Sequence, residues 1–85
     1  MKIKHDGLEL TTDDQCTLTN RVFPGWHGDA SDGEKYLAEW STSAEDEKGN
    51  KYNVIYQFLL IKGSEPEDDM LDWCDDDNIY KIEKI

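Results

Sequence analysis

Apolar and polar residues alternate with a period of two over two long stretches of this chain. From residue 34 onward, Tyr36, Ala38, Trp40 and Thr42 fall on one side, and Leu37, Glu39, Ser41 and Ser43 on the other. After the polar segment Glu45-Asp46-Glu47-Lys48-Gly49-Asn50 the alternation resumes with Tyr52, Val54, Tyr56, Phe58 and Leu60. Two such runs joined through Gly-Asn predict an antiparallel hairpin, because side chains in a strand point alternately to opposite faces. The second run also carries Ile55, Leu59 and Ile61 on its other face, which predicts a central strand covered on both sides.

Shorter signals flank this hairpin. Asp6-Gly7 lies between Ile3 and the pair Leu8 and Leu10, and both turn residues tolerate positive φ, so residues 2–10 read as a small hairpin. Thr12-Asp13-Asp14-Gln15 has the spacing of a capping box, with Asp13 and Asp14 in the electropositive first turn. It predicts a helix over 13–22 with Cys16, Thr19, Val22 and Phe23 roughly on one stripe, ended by Phe23-Pro24-Gly25. The β-branched Thr17, Thr19 and Val22 make a strand the competing reading.

Trp26 to Gly33 is turn-rich and reads as a loop. Ser64-Glu65-Pro66-Glu67 gives a second capping box and predicts a short helix over 65–73, with Met70, Leu71 and Trp73 toward the body. Residues 78–85 alternate again and read as a final strand. The expected fold is α+β: an antiparallel sheet of four or five strands, one main helix and a short acidic C-terminal helix. Eighty-five residues hold one small domain, with neither an internal repeat nor a dividing linker.

Charge changes the picture most. Twenty acidic residues against nine basic ones, eight Lys and a single Arg, give a net charge of −11. That balance disfavours direct binding to nucleic acid or anionic membrane and favours cationic protein surfaces. Halophilic adaptation also produces excess acid, but the retained lysines make it the less attractive origin. Leu, Ile, Val and Phe number 17 of 85, near the border of disorder, while nine aromatic residues supply large surfaces to bury.

The acid is concentrated. Glu65, Glu67, Asp68, Asp69, Asp72, Asp75, Asp76 and Asp77 place eight carboxylates in thirteen residues, with no Lys or Arg between Lys62 and Lys81. Spread along a helix, they would present about one charge every 2.3 Å, against roughly 1.7 Å along duplex DNA. Two readings stand side by side: a solvated, solubilising segment, or an anionic surface for a basic partner, with Trp73 or Trp26 as an apolar anchor. Two lesser clusters, Asp29/Asp32/Glu34 and Glu45/Asp46/Glu47, lean toward the second.

Other chemistry is weakly marked. Asp75-Asp76-Asp77-Asn78-Ile79 lacks the glycine and distant glutamate of an EF-hand loop, leaving loose divalent-ion binding as the most it suggests. His5, Cys16, His27 and Cys74 lack the close spacing of zinc ligands, so neither metal nor cofactor is expected. Cys74 lies between Asp72 and Asp75, which oppose thiolate formation, and Cys16 reads as a small core residue. The chain therefore reads as a non-enzyme, with its two cysteines reduced and a cytoplasmic location. Neither a secretory leader nor an apolar run approaching a membrane span is evident.

In size, charge and the run from Glu65 to Asp77, the chain resembles the small acidic proteins that bacteriophages make against host defences. These include DNA-mimic restriction inhibitors and several anti-CRISPR families. The resemblance is one of character and carries over no contact residues. It implies an inhibitor that occupies the basic channel of a nuclease or other nucleic-acid-binding complex. The alternatives are an accessory module with a partner that does not bind nucleic acid, and a weak divalent-metal-binding domain.

Overall fold

A computed structural model describes residues 1–13, 15–67 and 70–85. The protein is built on one antiparallel sheet: β1 (Lys2–His5), β2 (Leu8–Thr12), β3 (Thr17–Leu18), β4 (Lys35–Glu45), β5 (Lys51–Ile61) and β6 (Ile79–Lys84). The order is β1-β2-β4-β5-β6, with β3 also pairing with β4. Helical structure among the described residues is confined to single 3-10 turns such as His27–Asp29 and Asp76–Asn78. The expected α+β class is thus overturned: the fold is nearly all β, with neither the main helix nor the acidic C-terminal one. Among the described residues, no helix is long and apolar enough to cross a membrane.

The central hairpin follows the period-two pattern. All eleven positions of β4 pair with β5, from Lys35↔Ile61 to Glu45↔Lys51. Even-numbered residues of both strands face the core: Tyr36, Ala38, Trp40, Thr42 and Ala44 against Tyr52, Val54, Tyr56 and Phe58, all buried. The turn is organised by Asp46, whose carboxylate accepts from Lys48 N, Asn50 N, Asn50 Nδ2 and the Tyr52 hydroxyl. Those four donors hold its pKa down to about 2.

Asp6 and Gly7 close the β1–β2 hairpin with φ of 51° and 80°, both left-handed as a two-residue primed turn requires. This hairpin joins β4 through Thr11 and Thr12 alone. It folds over the core far enough to bury Ile3 and Leu10 and to bring β1 against the Asp76–Asn78 turn.

The segment expected to be a helix over 13–22 instead runs along the open edge of β4. Asp13 N donates to Ser43 O, Thr17 and Leu18 pair with Ser41 and Trp40, Thr19 N donates to Glu39 O, and Leu37 N donates to Gly25 O. From Thr12 to Thr17 the chain takes five steps where β4 takes three, from Ala44 to Ser41, so the edge strand bulges and is not continuous. The unpaired backbone of a long central strand needs partners, and satisfying it outweighs a local capping signal. Asp14, part of that signal, lies outside the described residues.

The second face of β5 was expected to be covered, and it is covered only in part. Ile55 is buried, but Leu59 and Ile61 are 63% and 44% exposed. On that outer face the main feature is a buried carboxylate. Glu39, 2% exposed, accepts from Arg21 Nη2 at 2.6 Å, Arg21 Nε at 3.0 Å, Thr19 Oγ1 at 2.7 Å and Gln57 Nε2 at 2.9 Å. Arg21 in turn packs over the rings of Phe23 and Tyr80.

The Arg21 bond, helped by Thr19 and Gln57, holds Glu39 down at about 2 against an ordinary 4.5, although burial opposes this. A depressed carboxylate stabilises the fold fully above its unfolded value of about 4.5 and loses that contribution as the pH falls through about 2. Discounted for the half-exposed Arg21, the contribution is about 2 kcal/mol. Urea unfolding measured from pH 6 down to 2 should show this loss, and Glu39→Gln should show a shallower acid slope than the parent protein.

Candidate functional site

The acidic segment connects β5 to β6. It leaves at Ile61, crosses the core face, and re-enters the sheet where Ile79 pairs with Tyr56. Trp73 fixes the crossing. Its ring makes edge-on contacts with Trp40, Tyr56 and Phe58, with centroids 5.6, 5.1 and 4.9 Å away. Leu71 packs against the same cluster. Trp73, a candidate interface anchor on sequence grounds, is therefore a partly buried lid on the core. Trp26 is also partly covered: it pairs with Leu37, stacks edge-on against His27 and lies across Gly28, where an added Cβ would meet its ring at 2.3 Å.

The expected 65–73 helix gives way to a series of carboxylate-capped turns. Glu65 accepts from Gly63 N and from the Tyr36 hydroxyl, and its own backbone N–H together with that of Gly63 lowers its pKa. Asp72 Oδ1 accepts from both Cys74 N and Asp75 N, and Asp75 Oδ1 accepts from Asp77 N. Asn78 Nδ2 donates back to Asp72 O, closing the loop. Asp side chains compete in this way for backbone N–H groups that a helix would need. Like charges three and four residues apart would also destabilise the helix.

These turns draw the acid together at the C-terminal end of the segment. Asp75, Asp76 and Asp77 are exposed, and one carboxylate oxygen from each lies within 4.8 Å of the others. Asp72 is exposed beside them, as is Glu67 earlier in the segment. Among the described residues, the ion pairs of Arg21 and Lys51 go to Glu39 and Glu45, so no lysine or arginine bridges the 65–77 carboxylates. His5 Nδ1 stands 3.6 Å from Asp76 Oδ2 and its Nε2 3.6 Å from Asp6 Oδ2, while Lys62 acts electrostatically on Glu65. Asp68 and Asp69, part of the same expected surface, lie outside the described residues.

The two lesser clusters separate. Gly33 N donates to Lys62 O and Lys62 N to Glu34 O, so Asp32 and Glu34 adjoin the start of the acidic segment. Glu45, Asp46 and Glu47 lie at the opposite end of the eleven-residue hairpin, about 35 Å away. Among the described residues, Asp75, Asp76 and Asp77 form the one group of three potential metal-ligating side chains in mutual reach. His5, Cys16, His27 and Cys74 are not so gathered.

Among the described residues, two buried polar atoms make no hydrogen bond, His5 Nδ1 and, inside the core, the Tyr56 hydroxyl. The hydroxyl of Tyr56, a residue fully shielded from solvent, makes no hydrogen bond, and burial pushes its pKa up to about 12. Sequence reasoning placed Tyr56 in the core without anticipating this cost. Tyr56→Phe removes an unsatisfied hydroxyl while keeping the ring, so it should leave stability unchanged or raise it by up to about 1 kcal/mol. Chemical denaturation at pH 7 checks this.

No protein-family model matches the chain, and no match was found among curated proteins or solved structures.

Proposed function

We propose that this protein binds a basic, nucleic-acid-binding surface of a partner protein and blocks it, its carboxylates standing in for phosphates. The observation that carries the reading is the Asp72–Asp77 turn: exposed, tightly grouped, and unbridged by lysine or arginine among the described residues. Three carboxylates within 4.8 Å repel one another, so the turn holds unfavourable electrostatic energy that a cationic surface would relieve. Three carboxylates of the central hairpin are satisfied more fully. Glu39 is paired, Glu45 is bridged by Lys51, and Asp46 is saturated with donors. The contrast supports docking over simple solubilisation, because solubility does not require close grouping. Binding would release the anions condensed on the partner's channel, giving a steep dependence on salt.

The experiment is elution from DNA-cellulose. Proteins from the source cells are bound to the matrix, and the purified protein is added at constant ionic strength. The expected result is release of a discrete species in stoichiometric complex with the chain. Retention of every bound protein at saturating chain would count against the reading.

A further inference from the structure

The open side of β5 lies beside the acidic segment. β6 pairs with β5 only from Tyr52 to Tyr56, and among the described residues no strand flanks 57–61 on that side. Lys62 N bonds to Glu34 O, so even positions of β5 turn their backbone groups toward β4 and odd positions turn theirs away. The N–H and C=O of Leu59 and the N–H of Ile61 therefore point to the open side. The Ile61 carbonyl is already taken by Ser64 N. The side chains of these same residues stand exposed on the outer face, with Leu37 directly opposite Leu59.

Protected sheet edges usually carry charge, proline or a covering loop at such a place. Here Trp73 of the following loop is held on the core side, and among the described residues nothing covers the edge from the outer face. Carboxylates stand at one end of the opening: Asp75, Asp76 and Asp77 lie in and beside the turn that meets β5 where β6 begins to pair. Backbone donors and acceptors, an apolar strip and flanking negative charge recognise one kind of ligand.

We propose that the free edge of β5 at 57–61 receives an extended, lysine- or arginine-rich peptide segment as an added strand. This rests on the reading of the acidic segment as a docking surface and specifies what docks: a basic tail, not a folded channel wall alone. Apolar side chains of the added strand lie on Leu59 and Ile61, and its cationic side chains reach Asp75, Asp76 and Asp77. A second copy of this chain is a poor occupant, since each carries a net charge of −11. Added-strand recognition draws affinity from main-chain bonds and specificity from alternate side chains.

The test uses the full chain, labelled with ¹⁵N, and two synthetic decapeptides. One alternates lysine and valine; the other has the same sequence but is N-methylated at its four central residues, keeping every charge while losing amide donors on both edges. The unmethylated peptide should shift and protect the Leu59 and Ile61 amides, and methylation should weaken binding about tenfold or more. Equal binding of both peptides, with shifts confined to 72–77, overturns the added strand while leaving the acidic docking surface standing. Failure of both to bind at low salt overturns the added strand and counts against the docking surface as well.

Discussion

Changing Asp72, Asp75, Asp76 and Asp77 together to Asn should abolish partner release from DNA-cellulose while leaving the fold intact. The two halves of this expectation have separate causes. Asp72 and Asp75 act structurally as acceptors for the backbone N–H groups of Cys74, Asp75 and Asp77. An Asn side-chain carbonyl can accept the same bonds, so the turns survive. What disappears is the charge. Four exposed ion pairs with a partner, each worth roughly 0.5–1 kcal/mol, sum to a loss of about a hundredfold in affinity. Relief of self-repulsion should leave the melting temperature equal to or above that of the parent. A variant that melts normally and still releases the partner at parental concentrations would locate binding elsewhere.

The second large effect is on stability. Trp73→Ala should cost about 3–5 kcal/mol, because it deletes a ring that touches Trp40, Tyr56 and Phe58 at once and leaves a cavity on the core face. For a sheet of this size that is a large share of the total stability. The loss should be visible as a lowered urea midpoint with the loop released from the core. Had Trp73 been an exposed anchor, its removal would leave stability almost untouched. A loss below about 1 kcal/mol would contradict the packing described for the acidic segment.

The contrast between Trp73 and Leu59 shows where the sequence was legible. Period-two alternation located β4 and β5, and Asp6-Gly7 located the first turn, since these signals act between near neighbours. The alternation also placed Tyr56 and Phe58 inside correctly. It could not tell which of β5's faces would be covered, because a strand carrying Ile55, Leu59 and Ile61 on its outer side looks the same whether or not something packs there.

The helix expected over 13–22 failed for a related reason. Its capping box described local bonding, while the outcome was decided by the unpaired edge of β4, which Asp13, Thr17, Leu18 and Thr19 satisfy. Over 65–73, Ser64-Glu65-Pro66-Glu67 suggested a capped helix, but Glu65, Asp72 and Asp75 cap turns instead. Glu39 was missed as a structural centre. Its signal was present, a carboxylate in the middle of a strand in a chain with a single arginine, but nothing in spacing joined it to Arg21, eighteen positions away.

The candidate site was partly legible. Sequence alone marked the carboxylates, and the fold grouped Asp75, Asp76 and Asp77 near mid-β5 while leaving the Glu45–Asp46–Glu47 cluster at the hairpin turn. The open edge at Leu59 was not legible at all, because it depends on where β6 begins to pair.

The most direct measurement is the salt dependence of the complex between this chain and the partner it releases from DNA. Titration calorimetry between 50 and 200 mM salt, repeated with DNA present, gives both quantities needed. If carboxylates replace phosphates, log K falls steeply and linearly with log salt, and DNA and the chain exclude each other. A nearly flat slope together with a ternary complex of chain, partner and DNA would contradict the account.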